Sequence, residues 1–190
     1  MIRIYVLRHG ETEWNRLGRL QGTLNSPLTP KGETQAKKMA EILRRETEGK
    51  PIPRVVSSPL GRACQTAEIV SNVLKIPFSL DARLAEVNMG DWNGHIYKEI
   101  KLRWPEAFLD AGDADWNFFS STGENYDTVR NRVATWLSEQ HSDVIAVGHG
   151  LSGKLLRGAY LGLPYAATLA LTEPQDSVFC LHDGQMDLVR

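Results

Sequence analysis

The first regularity along the chain is a nearly unbroken apolar run, Ile2, Ile4, Tyr5, Val6 and Leu7, that stops at Arg8-His9-Gly10. A short apolar run bounded by a turn signal predicts a strand buried on both faces. Arg54 to Ser57 and Pro77 to Leu80 repeat the pattern more weakly. Asp143-Val144-Ile145-Ala146-Val147 repeats it most strongly and ends in Gly148-His149-Gly150. Between these runs the apolar period becomes helical. Ala36, Met39, Ala40 and Leu43 share one face of a helix running from Thr29-Pro30 to about Glu48, with Thr29 as cap and Pro30 at the first helical position. Leu60, Ala63, Ala67, Val70 and Leu74 mark the next helix. Ser58-Pro59 reads as the same cap-plus-proline device, which puts Arg62 in the first turn. Tyr126, Val129, Val133, Trp136 and Leu137 predict a helix opened by Gly123-Glu124, and a further helix spans Leu151 to about Leu161.

Three stretches are less regular. Residues 10–28 form a long, Gly-punctuated connection of the kind that carries function in a compact domain. His95 to Trp104 has helical character and is stopped by Pro105. Beyond it Phe108, Trp116, Phe118 and Phe119 are mixed with Asp110, Asp113 and Asp115, and the aromatics are expected to pack a cap segment onto the body. Thr168 to Leu171, Ser177 to Leu181 and Met186 to Val189 are expected to be short strands, the last two joined by an Asp183-Gly184 hairpin turn. Strands alternating with helices predict an α/β fold: a three-layer α/β/α sandwich around a mostly parallel sheet. With no repeat or linker, residues 1–190 are expected to form one domain, with a cap-like insertion at about 88–123.

Composition narrows the classes. The formal net charge is −1, and Lys and Arg are dispersed, which argues against nucleic-acid binding. No stretch reaches the ~18 apolar residues that span a bilayer. The N-terminal run is too short for a signal peptide and lacks a small-residue cleavage site. Cys64 and Cys180 do not form a metal-type pair, and neither is followed at the right distance by an arginine that would make a cysteine phosphatase loop. A cytoplasmic protein with reduced thiols is expected, of unassigned oligomeric state.

The chemistry lies at the strand ends. Arg8-His9, the Ser57-to-Arg62 turn and His149 each follow a strand, and the carboxyl edges of parallel strands line the ligand crevice of an open α/β sheet. Two arginines and two histidines on one edge are costly to hold together unless an anion compensates them. A phosphoryl group suits forked arginine contacts. A neutral histidine is a competent nucleophile toward it, and an acid must protonate the departing alkoxide. By position Glu11 and Glu86 are both candidates.

These residues carry a resemblance. Arg8-His9-Gly10-Glu11-Thr12 with Asn15, Gln21-Gly22, Ser57-Ser58-Pro59-Leu60-Gly61-Arg62-Ala63, Leu84-Ala85-Glu86 before Gly90-Asp91-Trp92-Asn93-Gly94, and Val147-Gly148-His149-Gly150 resemble the histidine phosphatase superfamily, with its phosphoglycerate mutase-like fold. The motifs run in the same order from residue 3 to about 155. The resemblance implies that His9 is the phosphorylated nucleophile and that Arg8, Arg62 and His149 hold the phosphoryl group. It implies assistance from Asn15 and the Gln21-Gly22 loop, the acid/base role for Glu86 rather than Glu11, and no cofactor or metal. It implies a small phosphorylated metabolite as substrate, with hydrolysis in two steps through a phosphohistidine. Where the mutase branch has an acidic residue followed by Arg-His-Tyr-Gly, this chain has Glu86-Val87-Asn88-Met89-Gly90. The absent cations, together with the short segment from Glu86 to Gly123, favour a phosphatase over a phosphoglycerate mutase. Asn25, where many relatives have aspartate, and Asn125, where serine is common, are expected to affect loop packing or substrate fit.

Three rivals remain in view. Gly148-His149-Gly150-Leu151-Ser152-Gly153 has the glycine spacing of a dinucleotide-binding turn, with Glu173 about 20 residues on. The bulky His149 is foreign to such a turn, and that reading leaves Arg8, His9 and Arg62 without a role. A non-catalytic phosphate-sensing domain on the same fold would be expected to lack the nucleophile or the acid, and both are present. Metal binding by His9 and His149 with His95, His141 or His182 has no zinc-type spacing, and the arginines would repel a cation.

Overall fold

A computed structural model describes residues 2–109, 112 and 115–190. In chain order it contains β1 (Ile4–Arg8), α1 (Glu13–Arg16), α2 (Pro30–Thr47), β2 (Arg54–Ser57), α3 (Gly61–Leu74), β3 (Phe78–Leu80) and α4 (Tyr97–Arg103). There follow α5 (Tyr126–Ser138), β4 (Val144–Gly148), α6 (Leu151–Tyr160), α7 (Tyr165–Leu169), β5 (Val178–His182) and β6 (Gln185–Val189). The six strands form one sheet in the order β3-β2-β4-β1-β5-β6. β1, β2, β3 and β4 run parallel, while β5 and β6 are antiparallel additions beyond β1.

Side-chain alternation along β1 explains its unbroken apolar run. Ile4 and Val6 enter one core with Trp136 of α5 and Leu155 and Leu156 of α6. Tyr5 and Leu7 enter the opposite core with Met39 and Leu43 of α2 and Ala63 and Ala67 of α3. Helices therefore cover both faces of the sheet, as the expected three-layer arrangement requires. Burying a large side chain such as Leu43 or Ile145 stabilises the fold by roughly 1.5–3 kcal/mol relative to exposing it.

The layers meet tightly beneath the first strand end. A Cβ added at Gly10 would collide with the carbonyl of Gly32 in α2, and one at Gly32 would collide with the carbonyl of Glu11. Only glycine at both positions lets the turn after β1 lie directly on the first turn of α2. Thr29 caps that helix, its hydroxyl accepting from Gly32 N–H at 3.0 Å.

Two expectations are corrected. Thr168 to Leu171 is not a strand: Tyr165–Leu169 is helical, and the Thr168 N–H donates to Pro164 O at 3.0 Å. Thr168 lies against Gly158 of α6, where a Cβ would strike its side chain, so helix packing outweighs β-propensity here. The Ser58-Pro59 cap also fails. α3 begins at Gly61 behind Leu60, with no side-chain cap, because the Ser58 hydroxyl is used elsewhere. The Asp183-Gly184 turn is as expected, both residues having positive φ (50° and 71°). Asn125 is the cap of α5, its side chain accepting from Thr128 N–H at 2.9 Å.

The described residues between Asn88 and Gly123 include α4 and the short 3₁₀ turns Gly90–Trp92, Pro105–Phe108 and Trp116–Phe118. Trp92 stacks on Phe108 at 5.9 Å and meets Trp116 at 6.1 Å, and Trp92 and Phe118 share a core with Val129, Val133 and Trp136 of α5, so the aromatics pack onto the body. Asp110 and Asp113 lie outside the described residues. Among the described residues, no helix is long and apolar enough to cross a membrane.

Candidate active site

Main-chain bonds bring the three strand ends together. His9 N–H donates to Gly148 O at 3.0 Å and Ser58 N–H to Val147 O at 2.9 Å. Arg62, in the first turn of α3, thereby reaches the nucleophile candidate directly. Its Nε lies 3.2 Å from His9 Nε2, while His9 Nδ1 lies 2.7 Å from Gly10 O. A guanidinium can only donate and a carbonyl can only accept, so the pair of contacts assigns the tautomer. Nδ1 carries the proton, and Nε2 presents its lone pair. Burial, then His149, Arg62 and Arg8 beside it, hold the His9 pKa well below the usual value of 6.5. The ring is neutral at physiological pH.

Arg62 is buried, and its pKa is pushed down to about 10, first by burial and then by Arg8, against the raising effect of Glu86. It remains a cation. Its other two nitrogens are already committed, Nη1 to Leu24 O at 2.5 Å and Nη2 to Gly22 O at 2.7 Å. The Nε–H is thus spent on His9 and one N–H of each Nη on the loop around Gly22, which leaves one N–H on each Nη for a phosphoryl group. Gly22 has φ 49°, and a Cβ there would strike Asn93. Gln21 is buried with its Oε1 unbonded, and Arg8 Nε is likewise buried and unbonded. Buried polar atoms without partners are uncommon in folded proteins; both residues line the same cavity as His9.

Glu86 meets the start of α6. Its carboxylate accepts from Ser152 N–H at 2.9 Å, Val87 N–H at 3.0 Å and Leu151 N–H at 3.2 Å. Burial raises its pKa, but the Ser152 amide, Arg62 and the Val87 and Leu151 amides together outweigh burial, and the net shift is downward. Glu86 is therefore a carboxylate at neutral pH. It also occupies the helix N-terminus that a dinucleotide pyrophosphate would need, which removes the physical basis of the dinucleotide reading. Glu11, the other acid candidate, points away: it pairs with Lys31 Nζ at 2.8 Å and accepts from the Thr29 hydroxyl at 3.0 Å.

His149 stands behind His9, ring centroids 5.2 Å apart at 61°. Its Nε2 is 2.7 Å from Ser58 Oγ and its Nδ1 is buried without a partner. Burial, Arg62, Arg8 and Arg132 hold it neutral by pushing its pKa well below 6.5. Unlike the other expected residues, it does not line the cavity itself. Asn15 does, but its Oδ1 also accepts from Thr12 N–H at 3.1 Å and from Gln175 Nε2 at 3.1 Å.

The cavity has a volume of about 190 Å³ and is walled by Arg8, His9, Asn15, Gln21, Gly22, Arg62 and Glu86, all expected. Arg19, Leu20, Met89, Asn117, Gly150, Leu151, Lys154 and Glu173 complete the wall. A larger apolar cleft of about 610 Å³ lies near the carboxyl end of α2, at Ile52, Val73 and Ile76, far from these polar groups. Among the described residues there is no group of three or more His, Cys, Asp or Glu placed to hold a metal.

Sequence reasoning missed several supporting residues. Arg132 of α5 clamps the acid's segment, donating to Arg83 O at 2.7 Å, Ala85 O at 2.8 Å and Glu86 O at 3.3 Å, with Glu124 as its counter-ion at 2.9 Å. Gln175 ties His9 O (3.2 Å) to Asn15. Both lie in positions where neither periodicity nor a motif gives a signal. Ser58 stood in a recognised motif, but its histidine contact spans 91 residues of chain.

A buried neutral histidine at the carboxyl edge of a parallel sheet, with two arginines and a carboxylate around it, is a site for phosphoryl chemistry. The chain matches the model of the histidine phosphatase superfamily (branch 1) over residues 4–189, and it belongs to that superfamily. It is 36% identical over 172 residues to the probable phosphoglycerate mutase GpmB of Proteus mirabilis, covering 86% of this chain and 77% of that one. It is 30% identical over 168 residues to phosphoserine phosphatase 1 of Hydrogenobacter thermophilus, covering 86% and 78%. Its fold is similar to a mycobacterial glucosyl-3-phosphoglycerate phosphatase solved with VO3, with a TM-score of 0.81 and 30% identity, covering 99% and 97% of the two chains. The protein is thus an enzyme of phosphomonoester hydrolysis through a phosphohistidine.

Proposed function

We propose that His9 is the phosphorylated group, Glu86 the general acid and base, and Arg8, Arg62, Asn15, Gln21 and Gly22 the phosphoryl cradle, with His149 supporting His9 from behind. The observation that carries this reading is the His9 tautomer, proton on Nδ1 toward Gly10 O and Nε2 lone pair facing the Arg62 Nε–H. In the first step the Nε2 lone pair attacks phosphorus. The P–O ester bond breaks, and the leaving oxygen takes a proton from Glu86. In the second step water gives a proton to Glu86 and attacks phosphorus, the P–N bond breaks, and phosphate leaves with His9 neutral again.

Glu86 must gain a proton before the first step. Arg62 is one of the causes that hold it ionised. A phosphate dianion seated on Arg62 cancels that pull and adds its own negative charge, so substrate binding itself raises the Glu86 pKa. Charge neutralisation by Arg8 and Arg62, acting in a small buried cavity, supplies the rest of the acceleration.

The acceptor is read as water, and the substrate as a small phosphorylated metabolite. The stretch Glu86-Val87-Asn88-Met89-Gly90 brings no cation to the cavity, and the cavity is small. Residues 88–123 are read as a cap on a single domain. The two unpaired cysteines fit a cytoplasmic location.

Brief reaction with p-nitrophenyl phosphate in EDTA, followed by alkaline quench, should trap an acid-labile phosphoenzyme. His9→Ala should lose both the phosphoenzyme and turnover, by at least ~10⁴-fold. Turnover retained in that variant would overturn the assignment.

A further inference from the structure

The cavity contains one group that its chemistry does not explain. Glu173 contributes a second carboxylate, beside that of Glu86, to a site whose cations serve to attract an anion. The carboxylate has no hydrogen bond among the described residues. Its nearest cations are Arg8 Nη1 at 3.7 Å and Lys154 Nζ at 3.6 Å, both too long for hydrogen bonds. A Cβ at Gly150 would strike Glu173 Oε2, so the carboxylate lies against the main chain at the start of α6.

Its backbone is fixed. Glu173 O accepts from Arg8 Nη1 at 2.8 Å, and Thr172 O accepts from Arg157 Nη2 at 2.7 Å. Arg157 is itself buried against the ring of Phe179, 3.8 Å from its centroid. Two residues on, Gln175 holds His9 O. The segment is therefore strapped to the site at three points, and the carboxylate is presented from a rigid support.

Glu173 lines the same cavity of about 190 Å³ as His9 and Glu86. A phosphomonoester seated on His9 therefore brings its leaving group into a cavity that Glu173 walls. An ionised carboxylate only accepts hydrogen bonds, and it repels another carboxylate. We propose that Glu173 selects the leaving group: it favours phosphomonoesters of small alcohols that carry a hydroxyl or ammonium donor near the ester carbon, and rejects those that carry a carboxylate there. The proposal rests on the reading that this cavity holds a phosphomonoester.

The test compares kcat/KM for glycerol 3-phosphate (hydroxyl donor), phosphoethanolamine (ammonium donor) and 3-phosphoglycerate (carboxylate) in the wild type and in Glu173→Gln. The wild type should favour at least one donor-bearing ester over 3-phosphoglycerate by about tenfold or more, and Glu173→Gln should reduce that ratio to near unity. The ester whose ratio moves identifies the donor. All three present the same phosphoryl group, so a merely structural disturbance of Arg8 lowers every rate and leaves the ratios unchanged. Unchanged ratios, or a wild-type preference for 3-phosphoglycerate, overturn the proposal. If the wild type hydrolyses none of these esters and no p-nitrophenyl phosphate, the hydrolase reading falls instead. The affinities of His9→Ala for the three esters, measured by calorimetry in both Glu173 backgrounds, then decide the role of Glu173 on the same ratio.

Discussion

The two ends of the cavity are built differently. At the phosphoryl end, His9, Arg62 and His149 are each no more than 2% exposed and stand at strand ends or in the first turn of a helix. The His9 and Ser58 N–H groups bond to the end of β4, and the Glu86 carboxylate bonds to the first amides of α6. At the leaving-group end, Met89 and Asn117 come from 3₁₀ turns and their edges, held by the contacts of Trp92, Phe108 and Trp116. Rigid sheet edges suit charge that must be preorganised before the reaction. Short turns packed by aromatic faces tolerate exchange of the residues that meet the alcohol, because little main-chain bonding depends on them.

Substitutions at the two ends should therefore separate into different kinetic classes. Glu86→Gln removes the proposed proton donor while keeping an acceptor for the Ser152 amide. Turnover of alkyl esters should fall about 10²–10³-fold, and that of p-nitrophenyl phosphate, whose leaving group needs no proton, by much less. Equal losses on both would break the division, because Glu86 would then act on the phosphoryl group alone. Asn117→Ala, at the other end, should change the relative kcat/KM of different alkyl esters by less than about tenfold. A uniform loss across all esters would place Asn117 with the phosphoryl cradle.

The smallest effect is on stability. His9 and His149 have depressed folded-state pKa values, by burial first and then by neighbouring cations, so the folded chain binds fewer protons than the unfolded chain below about pH 6.5. Stability is full above that pH and falls as the solution is acidified through it. The depressed carboxyl of Glu86 acts in a lower window: its contribution is present above about pH 4.5 and lost as pH falls further. Lowering the pH from 7 to 5.5 should reduce Tm by a few degrees, and His9→Ala should flatten that dependence. An unchanged slope in the variant would mean that His9 is charged in the folded protein.

The phosphoryl end was largely legible in the sequence. Arg8, His9 and His149 terminate apolar runs, and the helical period that starts after Pro59 places Arg62, so local pattern carries their address. The choice between Glu11 and Glu86 was not legible from spacing. It depends on Lys31 and Thr29 occupying one carboxylate and the amides of α6 occupying the other. Glu173 was noticed only for its distance from a glycine turn, and its actual neighbours are Arg8 and Lys154. Thr168 to Leu171 reads as a strand from sequence because a β-branched threonine leads a short apolar run. The contact with Gly158 that makes the segment helical is a property of two helices together.

The position of β1 has a consequence for how the molecule comes into being. Its five residues pair with Val144–Gly148 on one side and with Phe179–Leu181 on the other. The strand that presents His9 thus pairs with strands that both follow α5 in the chain. The loop entropy of those distant pairings must be met before the cavity can close. A chain lacking β5 carries the Arg8-His9 motif in full yet leaves one edge of β1 open. Assembly of the His9 site is therefore a report on long-range sheet pairing.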